Sequence, residues 1–277
     1  MTTPSTPAGL LATALSADPS RPLLTYYDDA TSERTELSVA TFGNWVAKTA
    51  NLLRDDLDLQ PGARVEVDLP LHWQAAVWMQ ACWAMGLVVV LPLGPAAAWQ
   101  PVELAVVTHD RAQSSAAEVV SLGLGPMGLA RPGAVPAYAG ALDYDREVHG
   151  HGDVFSPTVP PLEEHAALVL PPPRAEGRDG GAALTGGELA VAAASADPLP
   201  AGGRLLVTTA FTTPAAVVGG LLVPLATGVT GVLCRHLDPA RLPGRTGRIA
   251  QENLVAVLDD AAAGSGTVPH WGSLPGE

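Results

Sequence analysis

Between Arg204 and Arg235 the chain carries no charged residue, and this run constrains the fold more than any other feature. A bilayer span needs about 20 apolar residues, so residues 205–234 are long enough for one. The run is interrupted, however, by Pro214, Pro224, the adjacent Gly219 and Gly220, and six threonines. It divides into a strand at Arg204–Thr209, a helix opened by Thr213 and Pro214, and a strand at Val229–Cys234. Strands covered on both faces lose their polar alternation. The run therefore reads as a buried strand–helix–strand unit, and no membrane span is expected.

A second such unit lies upstream. Arg64–Leu69 alternates Val65, Val67 and Leu69; a helix runs from about His72 to Met85; Gly86 stops it, and Leu87–Leu93 is an apolar strand. Such units are parallel with a right-handed crossover. Leu23–Tyr27 and Glu33–Leu37 read as short strands around a turn, and Ser38 caps a helix with Phe42, Trp45, Val46, Leu52 and Leu53 at helical spacing. Further strands are expected at Leu104–Thr108, Glu118–Leu122, Ala166–Leu170 and Leu254–Leu258, with helices at Glu188–Ala196 and around Arg245–Glu252. The alternation predicts an α/β fold of mostly parallel sheets flanked by helices, in two lobes. We expect residues 1–122 as one lobe, 123–162 as an irregular linker, 163–258 as the second lobe, and 259–277 as a flexible tail.

Charge narrows the function. Fifteen basic against 28 acidic residues give a net charge of −13, too negative for general binding to nucleic acid or an anionic membrane surface. Two cysteines, Cys82 and Cys234, make no disulfide framework, and no secretory signal is visible; a cytoplasmic setting is expected. Lysine occurs once, at Lys48.

Several motifs invite chemistry and have a plainer reading. Gly123-Leu-Gly125-Pro-Met-Gly128 has dinucleotide-loop spacing, but Pro126, Pro132 and Pro136 deny it the helix that must follow. It reads as an ordinary loop. His149-Gly-His151-Gly-Asp153 groups three possible metal ligands without a companion set, and reads as a solvated loop. Cys82, between Trp78, Trp83 and Met85, reads as a core thiol, and Trp73, Trp78 and Trp83 as packing residues. No G-x-S-x-G elbow supports a hydrolase triad. Pro171–Gly181, between a strand and a helix, sits where a phosphate loop belongs. Its three prolines remove backbone donors, and Glu176 and Asp179 oppose the anion that Arg174 and Arg178 would attract.

The order of elements resembles the N-terminal part of AMP-binding adenylate-forming enzymes, the acyl-CoA synthetase and ligase superfamily. Leu37-Ser38 with Phe42 resembles that family's Leu-Thr-Tyr entry to its first helix. Pro61-Gly62-Ala63-Arg64-Val65 resembles its Pro-Gly-Asp-Arg-Val turn, and Val90 to Pro95 its Val-Pro-Leu-x-Pro strand ending. Leu184-Thr185-Gly186-Gly187-Glu188-Leu189 resembles the Leu-Thr-His-x-Asn-Leu segment after the phosphate loop. The resemblance implies a two-lobed α/β scaffold and ATP-dependent acyl activation.

The residues that would perform that activation are replaced. Counting back from Leu184-Thr185, the loop lysine falls on Gly180 and the proline on Asp179; only Gly177 and Gly181 match. The sequence also stops before the Tyr-Gly-x-Thr-Glu motif, the ribose-binding aspartate and the lid lysine. Losing a single preorganised transition-state donor costs about 10²–10³ in rate. The expectation is a truncated, non-catalytic relative that acts through a protein partner or self-association. Small-molecule binding without turnover, and ligase activity with a separately encoded remainder, are the alternatives. Arg174, Gly177, Arg178, Gly181 and Thr185 are the expected vestiges of a nucleotide site. No catalytic residue, metal ligand or cofactor is assigned.

Overall fold

The computed structural model describes residues 4–92, 102–111, 116–130, 133–170, 182–200, 202–238, 254–263 and 266–271. The chain begins with α1 (Pro7–Ala17), whose cap Thr6 accepts from the Gly9 amide at 3.0 Å. Strands β1 (Pro22–Asp28) and β2 (Glu33–Ser38) form an antiparallel pair. Ser38 then caps α2 (Val39–Asp55) by accepting from the Thr41 amide at 3.1 Å. The first strand–helix–strand unit follows as β3 (Arg64–Asp68), α3 (Trp73–Ala84) and β4 (Val88–Val90). Next come β5 (Leu104–Thr108), β6 (Glu118–Leu122), β7 (Leu142–Asp143), α4 (Tyr144–Glu147), β8 (Ala166–Val169), β9 (Ala183–Thr185) and α5 (Gly186–Ala194). The uncharged run is β10 (Arg204–Val207), α6 (Pro214–Val217), a π-turn at Val218–Leu222, α7 (Val223–Thr227) and β11 (Thr230–Arg235); β12 (Leu254–Leu258) comes later.

Two sheets result. The five-stranded sheet has the order β12-β10-β11-β1-β2, and the seven-stranded sheet β7-β6-β5-β3-β4-β8-β9. Every pairing is parallel except β1–β2 and β8–β9, each an edge hairpin-like pair. Strands from the two ends of the chain are interleaved. β1 and β2 join β10, β11 and β12, while β8 and β9 extend the sheet that β3 begins. The five-stranded sheet thus draws on residues 22–38 and 204–258, and the seven-stranded sheet on residues 64–185. Residues 123–162 contribute β7 and α4 to this body, anchored by Tyr144, which is fully buried against Trp78 and lies 2.7 Å from the Thr49 hydroxyl.

Helices are clamped between the sheets. Helix α3 touches β1 of one sheet and β3 and β4 of the other, and every residue from Trp73 to Trp83 is buried. A helix apolar all round must be enclosed in this way. The three tryptophans are packing residues as read, and they offer no surface to a partner. Trp83 Nε1 donates to the Ala167 carbonyl at 2.8 Å, tying the layer to β8. Cutting one of these side chains to alanine costs about 3–5 kcal/mol.

The uncharged run owes its composition to the same enclosure. Pro224 has no N–H to return to Gly220, and the helix widens into the π-turn at that point. A Cβ on Gly220 would lie 2.7 Å from Phe211, and one on Gly219 2.7 Å from Leu258. The glycines let the helix press onto the sheet. Among the described residues no helix is long and apolar enough to cross a membrane. Within the strand expected at Leu87–Leu93, the described residues form β4 at Val88–Val90 and Leu93 lies outside them, as does the helix expected at Arg245–Glu252.

Candidate functional site

Parallel strands place their carboxyl ends on one side of a sheet, and ligands of α/β proteins bind outside those ends. Here both sheets deliver such ends to one cleft of about 810 Å³. From the five-stranded sheet come Asp28 at the end of β1, Ala210 and Thr212 after β10, and Arg235 and His236 at the end of β11. From the seven-stranded sheet come Asp68 at the end of β3, Thr108 at the end of β5 with His109 beyond it, and Gly123 after β6.

The cleft wall is built of internal ion pairs. Asp28 is buried, and its Oδ1 lies 2.9 Å from His236 Nδ1 and 2.9 Å from the Ala30 amide. Burial alone would raise its carboxyl; the His236 and Ala30 hydrogen bonds and the nearby Arg235 together hold it below the ordinary range. Arg111 pairs with Asp68 across the β3 and β5 ends. Arg235 lies against the hydroxyl of Tyr26, whose proton burial and the Asp28 charge hold far above the usual phenol range. Both guanidinium groups of the cleft are thus engaged by groups of the wall. Asp28, Glu33, Asp68 and Asp110 leave the lining acidic.

At one end of the cleft, three adjacent strands bring together His109, Asp143 and Asp145. One donor atom from each lies within 4.8 Å of the others. His109 Nε2 is 3.5 Å from Asp143 Oδ1. The Gly123 amide donates to Asp145 Oδ2 at 2.8 Å. Burial raises the Asp145 carboxyl, against the opposing pull of that amide and of His109. Such a set of one imidazole and two carboxylates has the chemistry of a divalent-cation ligand group.

The residues nominated from sequence fare differently. Arg174, Gly177, Arg178 and Gly181 lie outside the described residues. Thr185 is described, and its hydroxyl is used locally. It accepts from the Glu188 amide at 3.1 Å, while the Glu188 carboxylate accepts from the Thr185 amide at 2.7 Å, a reciprocal cap for α5. The His149–Asp153 loop does not gather ligands. His149 packs edge-on against Trp45 at 5.6 Å, His151 lies 3.1 Å from Asp56, and Asp153 pairs with Lys48 at 2.6 Å. Three separate partners keep those groups apart. Gly123–Gly128 leads into a 3-10 turn at Pro126–Gly128, without the helix a dinucleotide requires. Cys82 is buried and its thiol pKa is pushed far up by that burial, which excludes it as a nucleophile. The cleft residues carry no motif. Their sequence signal is a polar residue closing β1, β3, β5 and β11.

Comparison with known proteins identifies the scaffold. The chain is 40% identical over 268 residues to a TIGR03089 family protein of Mycobacterium tuberculosis (strain ATCC 25618 / H37Rv), covering 93% of this chain and 100% of that one. No family model matches. Among solved structures, it superposes on an acyl-CoA synthetase of Brucella canis with a TM-score of 0.74 at 15% identity, over 92% of this chain and 47% of the other. The anthranilate CoA ligase AuaEII, in complex with anthranoyl-AMP, gives 0.68 at 12% identity, over 90% and 49%. Apo MatB from Rhodopseudomonas palustris gives 0.67 at 18%, over 87% and 48%. The fold is that of the N-terminal domain of adenylate-forming enzymes, and the chain spans about half the length of these solved structures.

Proposed function

We propose that this chain, which belongs to the TIGR03089 family, binds a small polar molecule in the cleft and does not by itself adenylate it. The observation that carries this reading is the convergence of strand ends from both sheets on one 810 Å³ cleft. A cavity of this size, with a few polar groups at strand ends, is the usual form of a small-molecule site.

The charge of the wall argues for the class of ligand. A triphosphate needs unpaired cations or amide nests. The two arginines here face Asp68 and Tyr26 instead, and the loop position for the family's lysine is Gly180. An acidic wall favours a ligand that brings hydrogen-bond donors or a positive charge, such as an amine or the hydroxyl and amino groups of a nucleoside. The scaffold's relatives by fold include ligases, but fold alone does not transfer activity.

Calorimetric titration with nucleosides, small amines and ATP·Mg²⁺, run beside a pyrophosphate-release assay, tests the reading. Saturable binding of an uncharged or cationic ligand, weakened at least tenfold by Asp28→Asn, is the expected result. Pyrophosphate release from ATP and a carboxylic acid by the chain alone would overturn it.

One observation favours a second reading, self-association or a partner chain. An apolar groove of about 730 Å³ runs along α5, where Val191 is 64% exposed beside Leu184 and Val268. An isolated large apolar patch on a helix face is a common mark of an interface. Light scattering over a concentration series distinguishes the cases: a mass that stays at 28.3 kDa, and is unchanged by Val191→Asp, removes self-association.

A further inference from the structure

We propose that His109, Asp143 and Asp145 form a divalent-cation site at the carboxyl ends of β5, β6 and β7. His109 is distant in sequence from Asp143 and Asp145, and it meets them because those strands are parallel neighbours. His109 follows β5, Asp143 ends β7, and Asp145 lies in the short helix α4 that begins directly after it.

Several donor atoms of the cluster have no hydrogen-bond partner among the described residues. The His109 side chain is 9% exposed, and neither of its ring nitrogens has a hydrogen bond to a described residue. Asp145 is 2% exposed, and its Oδ1 has none either. The same holds for both carboxylate oxygens of Asp143, although Arg146 Nε lies 3.0 Å from Oδ2. Buried polar atoms in native proteins are nearly always partnered, and a cluster of exceptions calls for an ion or water.

Charge points the same way. Two carboxylates, Asp143 and Asp145, stand side by side within one cluster, and like charges at that spacing repel. Arg146 offsets one of them from an exposed position. A divalent cation would neutralise the remainder and occupy the idle donors together. The backbone leaves room for it. A Cβ on Gly123 would stand 2.8 Å from Asp145 Oδ2 and 3.0 Å from His109 Nδ1, so only glycine lets the loop pass beside these groups.

One imidazole with two carboxylates suits Zn²⁺ or Mn²⁺ better than Ca²⁺ or Mg²⁺. An ion about 2.1 Å from each donor needs donors within roughly 4.2 Å of one another, so a small side-chain adjustment closes the site. Three protein ligands leave a coordination position open. His109 and Gly123 also line the cleft, so the cation and the ligand cavity share a wall. The inference does not depend on what the cleft binds.

The test uses the full chain without an affinity tag, stripped with chelator and titrated with Zn²⁺ and Mn²⁺ by calorimetry. One ion per chain is expected, with Zn²⁺ binding in the micromolar range or tighter. Co²⁺ substitution should give visible d–d bands without a thiolate charge-transfer band, which separates this site from Cys82 and Cys234. His109→Gln and Asp145→Asn should each weaken Zn²⁺ binding at least tenfold while circular dichroism stays unchanged. Gly123→Ala should weaken it too, without altering charge. Failure of the folded wild-type chain to retain an ion at millimolar free Zn²⁺ and Mn²⁺ overturns the proposal. So does a thiolate band in the Co²⁺ spectrum, or undiminished binding in folded His109→Gln.

Discussion

Lys48 Nζ lies 2.6 Å from Asp153 Oδ1 and donates to the His151 carbonyl at 2.6 Å. The chain's one lysine is therefore a clasp between α2 and the segment that follows α4. One turn further along α2, Asn51 Nδ2 donates to the Gly152 and Val154 carbonyls at 2.9 and 3.0 Å. The ion pair is half in solvent and contributes at most about 1 kcal/mol. The amide is buried, and its loss strands two carbonyls, which costs about 1–3 kcal/mol. Lys48→Met is expected to speed hydrogen exchange at residues 151–154 with little change in melting. Asn51→Ala should do the same and also lower global stability.

Thr185 closes a reciprocal cap with Glu188. Thr185→Ala should cost about 1 kcal/mol in denaturant unfolding, and Thr185→Ser should restore most of it. Equal stability in all three proteins would contradict the cap.

Gly128 has φ of +69°, and a Cβ there would stand 2.6 Å from Trp45 Cη2. Trp45 in turn packs edge-on against Trp73 at 5.1 Å. Gly128→Ala combines a strained backbone with an overpacked ring, and a loss of about 1–3 kcal/mol is expected. A change in tryptophan emission should accompany it, since the displaced ring touches a second indole.

Glu66, midway along β3, is partly buried, and that burial raises its carboxyl above the ordinary glutamate range, against the pull of Arg111. The folded state thus holds this proton more tightly than the unfolded chain. Its contribution to stability is fully present below the unfolded pKa and is lost as pH rises through the raised one. Glu66→Gln should therefore be more stable than wild type at pH values above the raised carboxyl pKa and level with it below the ordinary glutamate value of about 4.3, by at most a few degrees in Tm. A wild-type advantage at neutral pH would reverse the sign of the argument.

Local chemistry made much of the fold legible. The caps Ser38 and Thr213, the apolar period of β3–α3–β4 and the unbroken neutrality of 205–234 each point to one local structure. Sheet membership is not local. Nothing in Leu24–Asp28 announces that it pairs with Gly231–Arg235, because a parallel partner is chosen by the packing of everything between. β9 is three residues, Ala183–Thr185, and is a strand only because β8 lies beside it. The same holds for the site. His149, His151 and Asp153 are close in sequence, yet Trp45, Asp56 and Lys48 draw them apart. His109 and Asp145 are separated by 36 positions and meet because β5, β6 and β7 end at one level.

The clamped helical layer and the shared opening of the strand ends divide the molecule's labour. Substitution inside the layer is felt by both sheets at once. The connections leaving β3 and β10 are rooted in that packing by Leu69, Leu71 and Phe211, while their neighbours Pro70 and Thr212 face the cleft, where loops tolerate change. A lineage built on this scaffold can exchange one ligand for another by recutting a few turns. It can also abandon a reaction altogether and still inherit a chain that folds.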